Sequence, residues 1–433
     1  MTSDFLVYNA WFKDTYDLVL MNGKRIRHLS TKWAWSRTRS SPQATGRADA
    51  ASLDAPVQFC GQQYRNSVYP VFLLAIISCI QFPSCEAIVG WTGYNLEGIS
   101  TAKLRDSVFY DRLHGWAVGD GDTLIYTENM GQSWLQTSTG FGYSGLNWHG
   151  IAWPQRCTNL PSVEPGQVDR TCDYSRGFLV GNFASMARTV DNGATWNQIQ
   201  RSQFGFPNSD MGARIGDLTI RAVSGLDGTD LLWAVGDEGL ILHTVNGGDY
   251  WVQQLTNVLQ TLYDVNFYTN STGYAVGAFG TILRTSNGGA TWTRQTSGLE
   301  GSTLNLYSVK AFPSTGPFQD ELLAAVVGDR GTMMITTDMG EYWKPKPSCT
   351  TRQLNDVHFR YLPKTESDGR VSIDIGNMYV SGEDGLFCQS TDLAKTWAII
   401  DVGALLALNS VAGVLDDEPF VFGDNGLILR HVG

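Results

Sequence analysis

From residue 88 to the C terminus, apolar residues fall in runs of four to six, rich in Val, Ile and Tyr and cut by Gly-containing turns. Runs of that length and composition predict short strands. The unit is clearest between Leu262 and Trp292: Leu-Tyr-Asp-Val-Asn-Phe, then Gly-Tyr-Ala-Val-Gly, then Gly-Thr-Ile-Leu-Arg-Thr-Ser-Asn-Gly-Gly-Ala-Thr-Trp. It closes on an Asp box. In that pattern an Asp or Asn side chain bonds the backbone of its own turn. A Gly takes a conformation closed to residues with a Cβ, and a Trp lays its apolar body on neighbouring strands.

Six copies carry the box. They are Thr127-x-Asn129-x-Gly131-x-x-Trp134, Thr189-x-Asp191-x-Gly193-x-x-Trp196, Thr244-x-Asn246-x-Gly248-x-x-Trp251, Thr285-x-Asn287-x-Gly289-x-x-Trp292, Thr336-x-Asp338-x-Gly340-x-x-Trp343 and Ser390-x-Asp392-x-Ala394-x-x-Trp397. A small-residue strand ending in Gly precedes each one, at Gly119, Gly181, Gly236, Gly277, Gly328 and Gly382, always 15 residues before the Trp. The Trp-to-Trp interval wanders instead through 62, 55, 41, 51 and 54. A fixed strand-turn-strand unit of roughly 40–50 residues with variable connections predicts propeller blades.

Inner-strand motifs number seven: Leu104 to Phe109, Leu146 to Trp148, Leu218 to Val223, Leu262 to Val265, Leu306 to Val309, Leu354 to Val357 and Leu408 to Val411. The seventh unit, Phe420 to Arg430, stops before its box Trp, so its fourth strand is missing. An open edge is an aggregation hazard, and Ile88 to Tyr94, with Trp91 in place of the absent Trp, is the expected donor. The fold class is therefore all-β: a seven-bladed β-propeller over 88–433 with Asp-box (BNR-like) repeats, its ring closed by N- and C-terminal strands. Insertions at Arg156–Arg176, Arg201–Asp217 and Tyr361–Ile375 read as surface loops.

Residues 1–87 are different. Val71 to Phe82 is a 12-residue apolar run, too short to span a bilayer and suited to a signal-peptide core. Cys85-Glu86-Ala87 follows as a peptidase site. Upstream, an Arg- and Ser-rich stretch (Lys24, Arg25, Arg27, Lys32, Arg37, Arg39, Arg47) resembles a transit peptide, although Asp4, Asp14 and Asp17 do not. Two readings stand side by side: a two-part presequence, or an upstream start codon before an ordinary secretory signal. A retained signal anchor is a third. Either of the first two places the mature chain, from about Ile88, outside the cytosol.

Charge and cysteines refine this picture. The net charge is -11, with 9 Lys+Arg against 6 Asp+Glu in residues 1–87 and 22 against 36 beyond. An acidic repeat region argues against a nucleic-acid partner. Four cysteines remain after residue 87, an even number. Cys157 and Cys172 bracket one insertion and are expected to bond. Cys349 and Cys388 are a second candidate pair, with two buried thiols as the alternative. Asn270-Ser271-Thr272 is a glycosylation sequon, used only on a route through the ER.

Little in the chain reads as catalytic. The six His have no metal-ligand spacing, and there is no phosphate loop, Cys-x-x-Cys or Gly-x-Ser-x-Gly. No cofactor and no metal are expected. Asp120, Asp237, Asp329 and Asp424 recur after the strand-ending Gly. Paired carboxylates across a cleft are what a glycosidase needs, but recurrence with the repeat favours turn chemistry. One third-strand position holds Tyr126, Arg188, His243, Arg284, Ile335, Gln389 and Arg430. Arg188, His243, Arg284 and Arg430 there form a candidate cationic band for an acidic partner, against the alternative that each Arg pairs locally. Arg105 and Arg221, in inner strands, are weaker candidates for the same surface.

The repeat Val-Gly-(Asp)-x-Gly-x-Ile-Leu-x-Thr-x-(Asp/Asn)-Gly-Gly-x-x-Trp, clearest at Gly236–Trp251 and Gly277–Trp292, resembles the photosystem II stability/assembly factor family over about residues 88–433. The resemblance implies a seven-bladed propeller of the thylakoid lumen that is not an enzyme. It implies binding of a lumen-exposed segment of a photosystem II reaction-centre subunit, with membrane association through that partner. The Cys157/Cys172 insertion, the long sixth blade and Ala394 depart from the pattern. Asp boxes also occur in sialidases, other glycosidases and sortilin-like receptors. The alternative is thus a secreted carbohydrate-active enzyme, or a carbohydrate- or peptide-binding propeller.

Overall fold

In the computed structural model, seven sheets succeed one another along the chain, each built on an antiparallel run of strands that lie beside their sequence neighbours. The structure describes residues 7–12, 33–38, 58–59, 62–63, 91–93 and 102–431, apart from 162–167, 208, 313–322, 366–370 and 414–418. The chain divides into Met1–Pro70 and Val71–Gly433. In the first unit, Val7–Phe12 pairs with Trp33–Thr38, and Gln58–Phe59 with Gln62–Gln63. The expected signal core, Val71 to Phe82, and Cys60, Cys79 and Cys85 lie outside the described residues. Among the described residues, no helix is long and apolar enough to cross a membrane.

Blade 1 comprises Leu104–Phe109, Gly115–Gly119, Thr123–Thr127 and Leu135–Thr137. Blade 2 comprises Trp148–Ala152, Gly177–Gly181, Met186–Thr189 and Asn197–Gln198. In blade 3, Ile220–Gly225, Leu232–Gly236, Ile241–Thr244 and Trp251–Gln254 carry an extra outer strand, Phe204–Gly205, running parallel to the fourth. Blade 4 has Leu262–Phe267, Gly273–Gly277, Thr281–Thr285 and Thr293–Arg294. Blade 5 has Leu306–Phe312, Leu323–Gly328, Met333–Thr336 and Lys344–Pro345. Blade 6 has Leu354–Thr365, Val371–Gly382, Phe387–Ser390 and Ala398–Ile399. Blade 7 takes Leu408–Ala412, Phe420–Gly423 and Ile428–His431 from the C terminus and Trp91–Gly93 from the other end of the ring. Trp91 faces His431 in that closing ladder, as expected of the donor strand.

The Gly that ends every second strand is a steric requirement. A Cβ on Gly119 would lie 2.0 Å from the carbonyl oxygen of Lys103, and one on Gly236 would lie 2.2 Å from that of Thr219. The same conflict recurs at Gly181, Gly277, Gly328, Gly382 and Gly423. Only a residue without a Cβ lets the chain entering the first strand cross there. The boxes follow their expected wiring. In blade 3, the Thr244 hydroxyl donates to Asn246 Oδ1 at 2.7 Å, the Gly248 N–H donates to Thr244 Oγ1, and the Tyr250 N–H donates to Asn246 Oδ1. Asn129, Asp191, Asn287, Asp338 and Asp392 repeat the pattern.

Each box Trp packs across a seam into the preceding blade, so the core is seven separate clusters, one per junction. Trp134 joins Phe420 and Phe422; Trp196 joins Trp116 and Trp153; Trp251 joins Phe178; Trp292 joins Trp233 and Phe267; Trp343 joins Tyr274. Trp397 lies against the blade 5/6 cluster and Trp91 against the blade 6/7 cluster, where it meets Phe387 edge-on at 5.0 Å. Burying an aromatic at every seam is what holds a ring of otherwise independent sheets together.

Two inner strands start later than the sequence motif suggests. Trp148 and Ile220, not Leu146 and Leu218, occupy the register of Leu104, opposite Gly181 and Gly236. The loop before them folds inward as part of the seam: Leu146 and Leu218 are buried and the Trp148 indole donates to Asp122 at 2.7 Å. The insertions are also more ordered than plain loops. Arg156–Pro161 pairs with Val168–Asp173, with Cys157 opposite Cys172, and Cys172 is disulfide-bonded. Ser209–Arg214 is a short helix, and the first two strands of blade 6 extend into a long hairpin. Cys349 and Cys388 are joined by a disulfide.

Candidate functional site: the mouth of the central channel

All seven inner strands carry a β-bulge at the same place. The pairing skips one residue after the position opposite the second-strand Gly: Arg105, His149, Arg221, Tyr263, Tyr307, Asn355 and Asn409. A bulged residue has no ladder partner and its side chain is re-aimed. These seven line one axial cavity of about 330 Å³. They form its mouth, at the end of the ring where the second and third strands turn.

The mouth is chemically uneven. Arg105 binds Asp120 through Nε at 2.5 Å and Nη2 at 3.2 Å. Arg221 binds Asp237 at 3.0 and 2.9 Å, and its guanidinium lies 5.9 Å from the centre of the Tyr263 ring. His149 sits between these two arginines in chain order, and burial together with both charges pulls its pKa down to about 4. Tyr263 and Tyr307 approach at 5.2 Å, and the Tyr307 hydroxyl donates to Asp329 at 3.0 Å. Asn355 donates to the Leu408 carbonyl of blade 7. Asn409 donates to the Leu104 carbonyl of blade 1 and to Asp424. Cationic, phenolic and carboxamide sectors thus follow one another round the opening.

Asp120, Asp237, Asp329 and Asp424 therefore do more than shape turns: each holds the mouth residue of its own blade. Their carboxylates also accept strand-entry N–H groups, from Thr219 to Asp237 and from Asn305 to Asp329. Deeper in the channel stand Asp106, Asp264 and Asp356, which the sequence motifs contain but do not mark as a set. Each accepts the backbone N–H of the residue after it and one from the next blade: Ile151, Val309 and Val411 respectively. They latch neighbouring sheets. Burial pushes Asp106 up to about 7, partly offset by the charge of Lys310, and also raises Asp264. His358 is driven down to about 3 by burial and by Lys310. Among the described residues, no group of three or more His, Cys, Asp or Glu has the arrangement of a metal site.

These shifts set opposite pH dependences. A His with a lowered pKa gives stability that is present above about 6.5 and lost as pH falls. An Asp with a raised pKa gives stability that is present below its unfolded value and lost as pH rises towards 7. Between about pH 7 and about pH 4.5, His358→Gln should therefore lose less stability than the parent, by up to about 3 kcal/mol. Asp106→Asn should lose more. Denaturant titrations at the two pH values check this, and equal losses in all three proteins would refute it.

The third-strand set is placed otherwise. Arg188, His243, Arg284 and Arg430 stand in blades 2, 3, 4 and 7, each cross-strand from an aromatic of its own blade: Phe178, Trp233, Tyr274 and Phe420. Arg188 pairs with Asp249 of blade 3. His243 stacks on Trp233 at 4.6 Å, donates from Nδ1 to the Leu232 carbonyl at 2.9 Å, and is held below its ordinary pKa by burial. Arg430 lies over Phe420 at 5.3 Å.

The fold and this mouth define a seven-bladed Asp-box propeller whose axial cavity presents one side chain per blade. A family profile described as "Photosynthesis system II assembly factor YCF48" matches residues 253–344. The chloroplastic photosystem II stability/assembly factor HCF136 of Arabidopsis thaliana is 24% identical over 311 residues, 60% of this chain and 73% of that protein. The photosystem II assembly lipoprotein Ycf48 of Synechococcus sp. (strain CC9902) is 23% identical over 297 residues, 60% of this chain and 83% of its own. A solved structure of YCF48 bound to a D1 peptide superposes with a TM-score of 0.55 at 20% identity, over 79% of this chain and 97% of that one. The WD40 propeller domain of Doa1 superposes with 0.52 at 12% identity, over 79% and 95%; these structural likenesses establish the fold. The relatives that the sequence matches are photosystem II stability and assembly factors.

Proposed function

We propose that the protein is a non-enzymatic photosystem II assembly factor that binds a lumen-exposed segment of a reaction-centre subunit at the channel mouth. The observation that carries this reading is the ring of seven bulged side chains, a built recognition surface to which every blade contributes one residue. Sequence similarity to photosystem II assembly factors supports the process, and the structural neighbour solved with a D1 peptide supports the partner class. Residues 1–87 act as a presequence and 88–433 as the mature propeller. The destination is the thylakoid lumen of a plastid, in keeping with the chloroplastic relatives. The partner holds the protein at the membrane, and no cofactor takes part.

Arg105→Glu with Arg221→Glu should weaken binding of reaction-centre subunits at least ~10-fold while leaving the melting profile of a folded propeller. Charge reversal at Arg188, Arg284 and Arg430 is the parallel test of the third-strand band as a second contact surface. The readout is affinity capture from the native organism followed by titration of the captured segment. Glycan turnover by the purified propeller with no membrane-protein partner recovered would overturn the proposal in favour of a carbohydrate-active protein.

A further inference from the structure

Six of the seven second strands place an aromatic three residues before the terminal Gly: Trp116, Phe178, Trp233, Tyr274, Tyr379 and Phe420. At most seams the box of the next blade closes directly on that ring. A Cβ on Gly193 would lie 2.2 Å from Trp116, one on Gly131 2.4 Å from Phe420, and one on Gly340 2.6 Å from Tyr274. Blade 5 is the exception, because Ala325 fills the position. With no ring to avoid, the box of blade 6 carries Ala394 where the other boxes have Gly, and Ala325 and Ala394 lie in one buried cluster. The loss is visible in the box Trp. Trp251 and Trp343 are 0% and 1% exposed, whereas Trp397 is only half-buried and its indole donates to the Pro347 carbonyl at 2.9 Å.

The Cys349–Cys388 bond crosses this seam and no other. Cys388 is fully buried in the third strand of blade 6, where the other blades carry Leu, Ile, Ala or Met. Cys349 is half-buried in the segment that leaves the outer strand of blade 5, two residues after Pro347. We propose that Cys349–Cys388 is a redox-operated latch, standing in for the second-strand ring that blade 5 lacks at the blade 5/6 seam and releasing that seam on reduction. The reductant is a dithiol. Its thiolate attacks the more accessible Cys349 Sγ, forming a mixed disulfide and expelling the Cys388 thiolate, which takes up a proton. The second thiol of the reductant then displaces Cys349, leaving two thiols on the propeller and a disulfide on the reductant, a balanced two-electron exchange. Reduction frees the segment that holds Pro347 against Trp397, while the aromatic seams keep their closure.

The test uses the mature propeller carrying Cys157→Ser and Cys172→Ser, so that one bond remains to be reduced. With dithiothreitol, amide exchange at residues 346–353 and 387–399 should accelerate at least ~10-fold, with exchange around residues 244–251 unchanged. Melting should fall by roughly 5 °C, and reoxidation should restore both. Cys349→Ala with Cys388→Ala should match the reduced protein. Adding Ala325→Phe and Ala394→Gly to that pair should recover seam protection. Native protein whose two thiols resist labelling after dithiothreitol, or reduced protein that exchanges as before or loosens equally at every seam, would overturn the latch.

Discussion

Trp251→Ala is expected to cost about 3–5 kcal/mol of stability, among the largest losses of any single substitution in the ring. The side chain is fully buried, and its indole N–H makes no hydrogen bond among the described residues. The loss is therefore apolar contact and the cavity left against Phe178. That cavity cannot collapse easily, because Thr244, Asn246 and Gly248 pin the turn above it through the box hydrogen bonds. Trp397→Ala should cost distinctly less, since Trp397 is half-exposed beside a disulfide. Equilibrium denaturation of both variants decides the matter: equal losses would mean that the boxes act by local turn stability and not by sealing seams.

A propeller started after Gly93 should fare as badly. Trp91–Gly93 is the only fourth strand blade 7 has among the described residues, pairing across Leu429, Arg430 and His431. Without it the third strand becomes a bare edge, and Phe387 and Tyr379 lose the ring that packs on them. Trp91 is only partly buried, so its own loss is smaller than that of a sealed Trp, up to about 3 kcal/mol, with the lost ladder added. A chain beginning at residue 96 should melt well below one beginning at residue 88, and aggregate on heating. Identical melting of the two chains would show that closure by the two ends is dispensable.

Much of this architecture was legible in the sequence because its causes are local. The 15-residue interval from Gly to Trp is one hairpin plus one box, and every residue in it is fixed by contacts inside the unit or across one seam. Closure by Trp91 followed from counting: a box Trp was missing at one end and a spare one stood at the other. The mouth was far less legible. Arg105 and Arg221 stood out by charge, but His149, Tyr263, Tyr307, Asn355 and Asn409 share no side-chain type, only a place in a bulge. Blade 2 was hidden further by Leu146, which imitates the motif two residues early. The latching trio Asp106, Asp264 and Asp356 left one signal that was readable, an Asp recurring in an inner strand where an apolar residue would do for packing alone.

The bulges carry a consequence for how such a ring diversifies. Each mouth residue has been lifted out of the ladder, so no ladder partner or pleat depends on which side chain it bears, and only Asn355 and Asn409 also bond a carbonyl of the next blade. Arginine, histidine, tyrosine and asparagine already occupy the same slot in one molecule. A lineage can therefore rewrite what the opening recognises, one blade at a time, while every rule that closes the ring stays in force.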